Sequence, residues 1–116
     1  MKEISKAGAQ GDVFFRRVGA VPAGFVEVPR KGPLVVAHSE TGHHHTIDDT
    51  GVKSYADPTD PLVCYLQLGD AGFADVVHHR PWDTHETVRL LGGEGIIYEG
   101  RRQREWAPEG WVRVQD

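Results

Sequence analysis

The sequence predicts an all-β fold, a small antiparallel β-barrel or sandwich. Three observations predict it. Short runs of β-branched and aromatic residues recur along the whole chain, as in DVFFRRV (12–18), LVCYLQL (62–68) and GFADVVHH (72–79). Fourteen glycines and seven prolines are spread through the 116 residues, not gathered into a linker, and they cut the chain into strand-length pieces. No piece sustains a helical apolar period over the roughly 11 residues that an amphipathic helix needs.

The elements follow in order. Residues 1–11 carry charge and no long apolar run, and are expected to be a flexible N-terminal segment of a single β domain spanning 1–116. Strands are expected at Asp12–Val18, Phe25–Val28, Leu34–His38, His43–Ile47 and Val52–Ala56. Leu62–Leu68, Phe73–His79, Glu86–Leu91, Gly95–Gln103 and Trp111–Val114 complete the set. In DPTDP (57–61) each proline fixes φ and pushes its predecessor extended, which prevents both helix and central strand. In LGGEG (91–95) the glycines supply the positive φ of a tight connection between the strands on either side. Trp106 and Trp111 flank a Pro–Glu–Gly turn, so the C-terminal strand is expected to pack back on the body.

Composition narrows the function classes. The chain is 39% hydrophobic and 26% charged, as soluble globular proteins are, and no apolar run approaches the roughly 18 residues that cross a bilayer. The N-terminus lacks the apolar stretch of a secretory signal, and a cytoplasmic location is expected. Cys64 is the one cysteine, so no intramolecular disulfide forms, and its place in LVCYLQL predicts a buried, inert thiol. A net charge of −4 argues against nucleic acid, with one local exception in GRRQREW, where Arg101, Arg102 and Arg104 stand beside Trp106. Ser39 has no G-x-S-x-G elbow around it and is set aside as a nucleophile. No phosphate loop and no dinucleotide fingerprint is present.

All seven histidines fall between positions 38 and 85. Because a strand alternates its side chains, His43, His45 and Ile47 share one face, and apolar Ile47 marks that face as interior. Two imidazoles at i and i+2 can grip one ion from one side. On Phe73–His79 the same parity puts His79 with Phe73 and Val77, inward, and His78 outward, although Asp75 falls on the His79 face too. His85 follows after the RPWDT turn. The expected site is mononuclear, with His43, His45, His79 and His85 around a divalent ion (zinc, iron, nickel or manganese). Asp49 and Glu86 are alternative or orienting ligands. The plainer possibility is a set of surface histidines on an edge strand.

Two resemblances bear on this. His43-His44-His45 followed by Asp49 resembles the first cupin motif, HxH with an acid a few residues on, which implies a cupin-like metal barrel. It departs from that motif in using Asp for Glu and in having Ala37 where a glycine is usual. Over most of its length the chain is similar to a group of small uncharacterised proteins of bacteria and their phages. Their shared pattern is QGDV, TGHxH, a histidine-bearing strand and RQREW, here Gln10–Val13, Thr41–His45, His78 to His85 and Arg102–Trp106. The group brings no established activity. Two functions are therefore expected to compete. One is a metal-binding barrel acting on a small molecule, with catalysis left open. The other is a phage or accessory assembly protein, virion-associated if phage-encoded, and either could be a homo-oligomer.

Overall fold

The computed structural model describes residues 1–37, 44–79, 84–102, 104–107 and 110–113. Among these residues there are thirteen strands and no helix, so the fold is all-β. In chain order they are β1 (Lys2–Ile4), β2 (Ala7–Gln10), β3 (Val13–Val18), β4 (Val26–Glu27), β5 (Leu34–Ala37), β6 (His45–Ile47) and β7 (Lys53–Ala56). Then come β8 (Val63–Gln67), β9 (Phe73–His79), β10 (Thr84–Leu91), β11 (Ile97–Arg102), β12 (Arg104–Ala107) and β13 (Gly110–Arg113). Every run expected as a strand contains one.

The strands form a five-stranded sheet, β1-β10-β9-β6-β5, and a six-stranded sheet, β2-β3-β11-β8-β7-β4, with β12-β13 as a separate hairpin. Each of the two large sheets has two edges, so the architecture is an open sandwich, and the closed barrel is corrected. The LGGEG stretch shows why. It carries the chain from β10 in one sheet to β11 in the other, with Gly92, Gly93 and Gly95 at φ values of 144, 102 and 84°. A connection that crosses between layers cannot close one sheet on itself. The C-terminal strand pairs with β12, Trp106 opposite Trp111, and the side chains of both tryptophans lie outside the described residues.

A second correction concerns the first eleven residues. They are not a flexible segment: β1 joins the five-stranded sheet, parallel to β10, and β2 joins the six-stranded sheet against β3. Ile4 is buried, and the Tyr98 hydroxyl, itself buried, donates to the Leu91 carbonyl at 2.6 Å and lies 2.9 Å from that of Ile4. Between β2 and β3 the two-residue turn Gly11–Asp12 places Gly11 at φ 56°, the positive value that a type II′ hairpin asks of its first central residue.

The inner faces meet in one core. The five-stranded sheet contributes Ile4, Leu34, Ile47, Ala74, Val76, Val88 and Leu90, and the six-stranded sheet Val13, Phe15, Leu66 and Tyr98. Large side chains fill the middle. Toward β5 and β7, however, the inner face of the six-stranded sheet carries only Ser54, Ala56, Cys64 and Gly100. Small residues leave space, and the two layers are not filled against one another there.

Candidate functional site

Two features adjoin each other at this thinly filled end, a cavity and a buried polar cluster. The cavity, of about 630 Å³, lies between β5 on one side and β7, β8 and the end of β11 on the other. Its walls are mixed: Val28, Leu34, Val36, Leu62 and Val63 give apolar surface, with Ser54, Ala56, Cys64 and Gly100 at the small-residue positions, and polar surface is nearly as extensive. Its charged lining consists of Arg30, Lys31 and Arg102 against Asp57 and Asp60. A space of that size, with apolar walls and several polar groups, is within the range of small-molecule sites.

Arg30 is held by main chain. Its Nη1 donates to the carbonyls of Asp49 and Val52, both at 2.7 Å, its Nη2 to Ile47 at 3.1 Å and its Nε to Gly32 at 3.1 Å. These bonds tie the segment leading into β5 across to the β6–β7 connection, and so shape one wall. Asp57 is likewise bound in its own turn, where its Oδ1 accepts from the Thr59 amide and hydroxyl and those bonds hold its carboxyl below the usual carboxylate range. Cys64, expected as a buried and inert thiol, is half-buried on the cavity wall, where it donates toward the Val36 carbonyl at 3.7 Å and loss of solvent pushes it up to about 12.

Arg102 joins the cavity to the cluster. Its Nε and Nη2 donate to Asp12 Oδ2 at 3.0 and 2.6 Å, and both residues are buried. The other carboxylate oxygen, Oδ1, lies 3.3 Å from His45 Nε2. On its opposite side His45 presents Nδ1 to Gln10 Oε1 at 2.9 Å, while Gln10 Nε2 donates to the carbonyls of Val76 and Glu86 at 2.8 and 3.1 Å. Those two carbonyls fix the amide orientation, because only its NH₂ can donate to them. His45 therefore has an oxygen partner at each ring nitrogen. The ring of His78 stacks on it, centroids 3.9 Å apart and planes 13° from parallel. Asp12, His45 and His78 each have further partners beyond these.

The expected metal ligands distribute as follows. His45 is inward and fully buried, as its parity with Ile47 predicts. The expected orientation of β9 is reversed: His78 is buried, opposite His45 in the sheet, and His79 is exposed on the outer face with its Nε2 3.0 Å from Thr46 Oγ1. His43 and the side chain of His85 lie outside the described residues, as do His38, Ser39 and Trp82. Asp49 accepts the Gly51 amide, and Glu86 is exposed, 3.7 Å from the N-terminal amine. Among the described residues no group of three His, Cys, Asp or Glu side chains is placed to hold a metal ion. The arginines of GRRQREW also part company. Arg101 is exposed and bonds Glu99, while Arg102 turns inward to Asp12. Arg101 and Arg102 therefore share no face, and the Arg104 side chain lies outside the described residues.

Gln10, Asp12 and Arg102 were not expected in a site, since a hairpin turn and a strand end gave no sign of meeting. One signal was available. Gln10 and Asp12 belong to the QGDV stretch, His45 to TGHxH and Arg102 to RQREW, so three separate stretches of one shared pattern converge on a single cluster. No curated protein and no solved structure matches the chain. A family model described as a domain of unknown function does match, over residues 9–103, which takes in the whole cluster and the cavity. The chain belongs to that family, DUF8820.

Proposed function

We propose that the protein binds a small molecule in the cavity between β5 and the β7–β8–β11 face. One observation carries the proposal: a buried arginine, Arg102, is fixed by Asp12 at the wall of a space of about 630 Å³ lined by both apolar and polar groups. A merely structural ion pair has no need of a cavity beside it, and the small residues Ser54, Ala56, Cys64 and Gly100 keep that cavity open. Whether the occupant is transformed is a separate matter. A fragment screen followed by amide chemical shifts tests the proposal. Binders are expected to move the amides of 54–56, 62–64 and 100–102, and Ala56→Phe, which pushes a ring into the space between β5 and β8, is expected to abolish those shifts. Hits that move other residues, or that survive Ala56→Phe, would sink it.

A divalent ion is the second reading. It rests on a row of histidines in register across three neighbouring strands, with His45 opposite His78 and His78 opposite His85. Against it stands the occupation of both His45 nitrogens. Elemental analysis of untagged protein, purified without a nickel column, decides: stoichiometric zinc, iron, nickel or manganese supports a metal centre, and a metal-free, folded protein removes it.

A further inference from the structure

Resting on the small-molecule reading above, we infer that the occupant is an amphipathic organic anion, with an acidic group held by Arg102 and an apolar body lying along β5 and β8. Three observations lead there. First, the guanidinium is only partly used. Both of its bonds to Asp12 fall on the single oxygen Oδ2, and among the described residues no acceptor meets its other three N–H groups. Asp12 turns its second oxygen to His45, so it does not grip the arginine as a two-pronged partner would. A planar guanidinium with an edge to spare is suited to forked binding of a carboxylate, sulfonate or phosphate.

Second, the cations differ from the carboxylates in what they already bind. Arg30 bonds four carbonyls, none of which carries a formal charge, so its positive charge is oriented but not cancelled there. Lys31 stands exposed at the rim. Of the two acids, Asp57 is turned into its own loop by Thr59. The lining carries three cations and two carboxylates, and Asp12 behind Arg102 brings the charges into balance, but among the described residues no carboxylate pairs with Arg30 or Lys31. Third, the apolar surface continues outward from the cavity. Val28 and Val35 line it, and with Val26 beside them they are exposed at 41, 38 and 63%, so the mouth is apolar as well as basic. A guanidinium at the inner wall, with valine side chains and a lysine at the mouth, is a lining that an amphipathic acid fits.

The test uses two dyes that differ by one group. 1-Anilinonaphthalene-8-sulfonate carries a sulfonate; N-phenyl-1-naphthylamine is the same aromatic body without it. If apolar walls alone decided binding, the uncharged dye would bind more tightly. The expected result is at least tenfold tighter binding of the sulfonate to the intact, folded wild-type chain. Arg102→Gln should remove that preference. Because this variant could unfold, Lys31→Glu at the exposed rim serves beside it, and should weaken the sulfonate severalfold without changing the neutral dye. Ala56→Phe should remove both. Equal or tighter binding of the neutral dye to the wild type would overturn the anionic assignment and leave the cavity reading standing. Failure of both dyes to bind, or binding indifferent to Ala56→Phe, would overturn the two together.

Discussion

Replacing Asp12 with Asn preserves the shape of the side chain and deletes its charge, which makes it the most direct probe of the buried cluster. The carboxylate is 1% exposed and the Arg102 side chain 6%, so the pair is largely shielded from water except where the guanidinium meets the cavity. Asp12→Asn leaves the guanidinium buried without a counter-charge, and weakens the contact with His45 at the same stroke. Removing one partner of a buried pair costs roughly 3–5 kcal/mol, and the retained amide oxygen argues for the lower end, about 3 kcal/mol. That is a large share of the roughly 5–15 kcal/mol that holds a domain of this size together, and corresponds to a fall in melting temperature of about 10 °C. Urea unfolding followed by tryptophan fluorescence should show the midpoint drop with the slope unchanged. The companion is Arg102→Met, close in length and uncharged. Alone it strands the carboxylate; together with Asp12→Asn it removes both charges, and the double variant should be more stable than the two losses added, by about 1.5 kcal/mol or more. A single Asp12→Asn variant within about 0.5 kcal/mol of wild type, or strict additivity in the double, would refute the picture of a mutually dependent buried pair.

Other outcomes follow from single contacts. Arg30→Met should cost about 2–3 kcal/mol in denaturant unfolding, since four carbonyls lose a charged donor, although water can reach some of them. Gly69→Ala should destabilise by about 1–3 kcal/mol, because a Cβ there would stand 2.6 Å from the Gly51 carbonyl oxygen and backbone must move. Cys64 should resist a thiol reagent at about pH 8 in the native protein and react once unfolded, since its value of about 12 leaves almost no thiolate. The same burial gives a pH dependence. A thiol raised from 9.0 to about 12 favours the fold below pH 9 and loses that contribution as pH climbs toward 12, by about 4 kcal/mol at most. Tyr65 and Tyr98, raised chiefly by burial, act in the same direction, so Cys64→Ala should soften alkaline unfolding without abolishing it.

The strands were readable because their signal is local: alternation and the turn residues between runs survive in any tertiary setting. The misreadings have physical causes. β1 and β2 were missed because Ala7, Gly8 and Ala9 have little strand preference, and Gly8 is small because a Cβ there would stand 2.8 Å from the Ile4 side chain. The Gly11–Asp12 pair was a usable hairpin signal. The parity of β9 was inverted because Phe73 was taken as a core residue. It lies instead on the outer face beneath the Arg89 guanidinium, 4.1 Å from its ring centre, with Asp75 bonding the same arginine. Asp75 was the better guide to that face, since a charged residue needs a partner more than an aromatic needs the interior. His45 was found by parity alone. Its neighbours Gln10, Asp12 and Arg102 were not, because strand pairing across long separations leaves no mark in a single sequence.

The parallel strand β1 also sets an order on folding. Lys2 pairs with Val88 and Ile4 with Leu90, whereas β2 and β3 are joined by a two-residue turn. On a chain growing from its N-terminus, the β2–β3 hairpin can close almost as soon as it emerges. The strand just ahead of it must wait until residue 90 has been made. Ten adjoining residues therefore make some of the earliest and some of the latest contacts in the molecule. Once β10 is made and until β1 docks, the outer edge of β10 stays open to other chains and Ile4 stays in water, so that interval is when the polypeptide is most exposed to association. Long-range pairing of this kind slows folding, and the last step to register should be the one that seats Ile4 beside Tyr98.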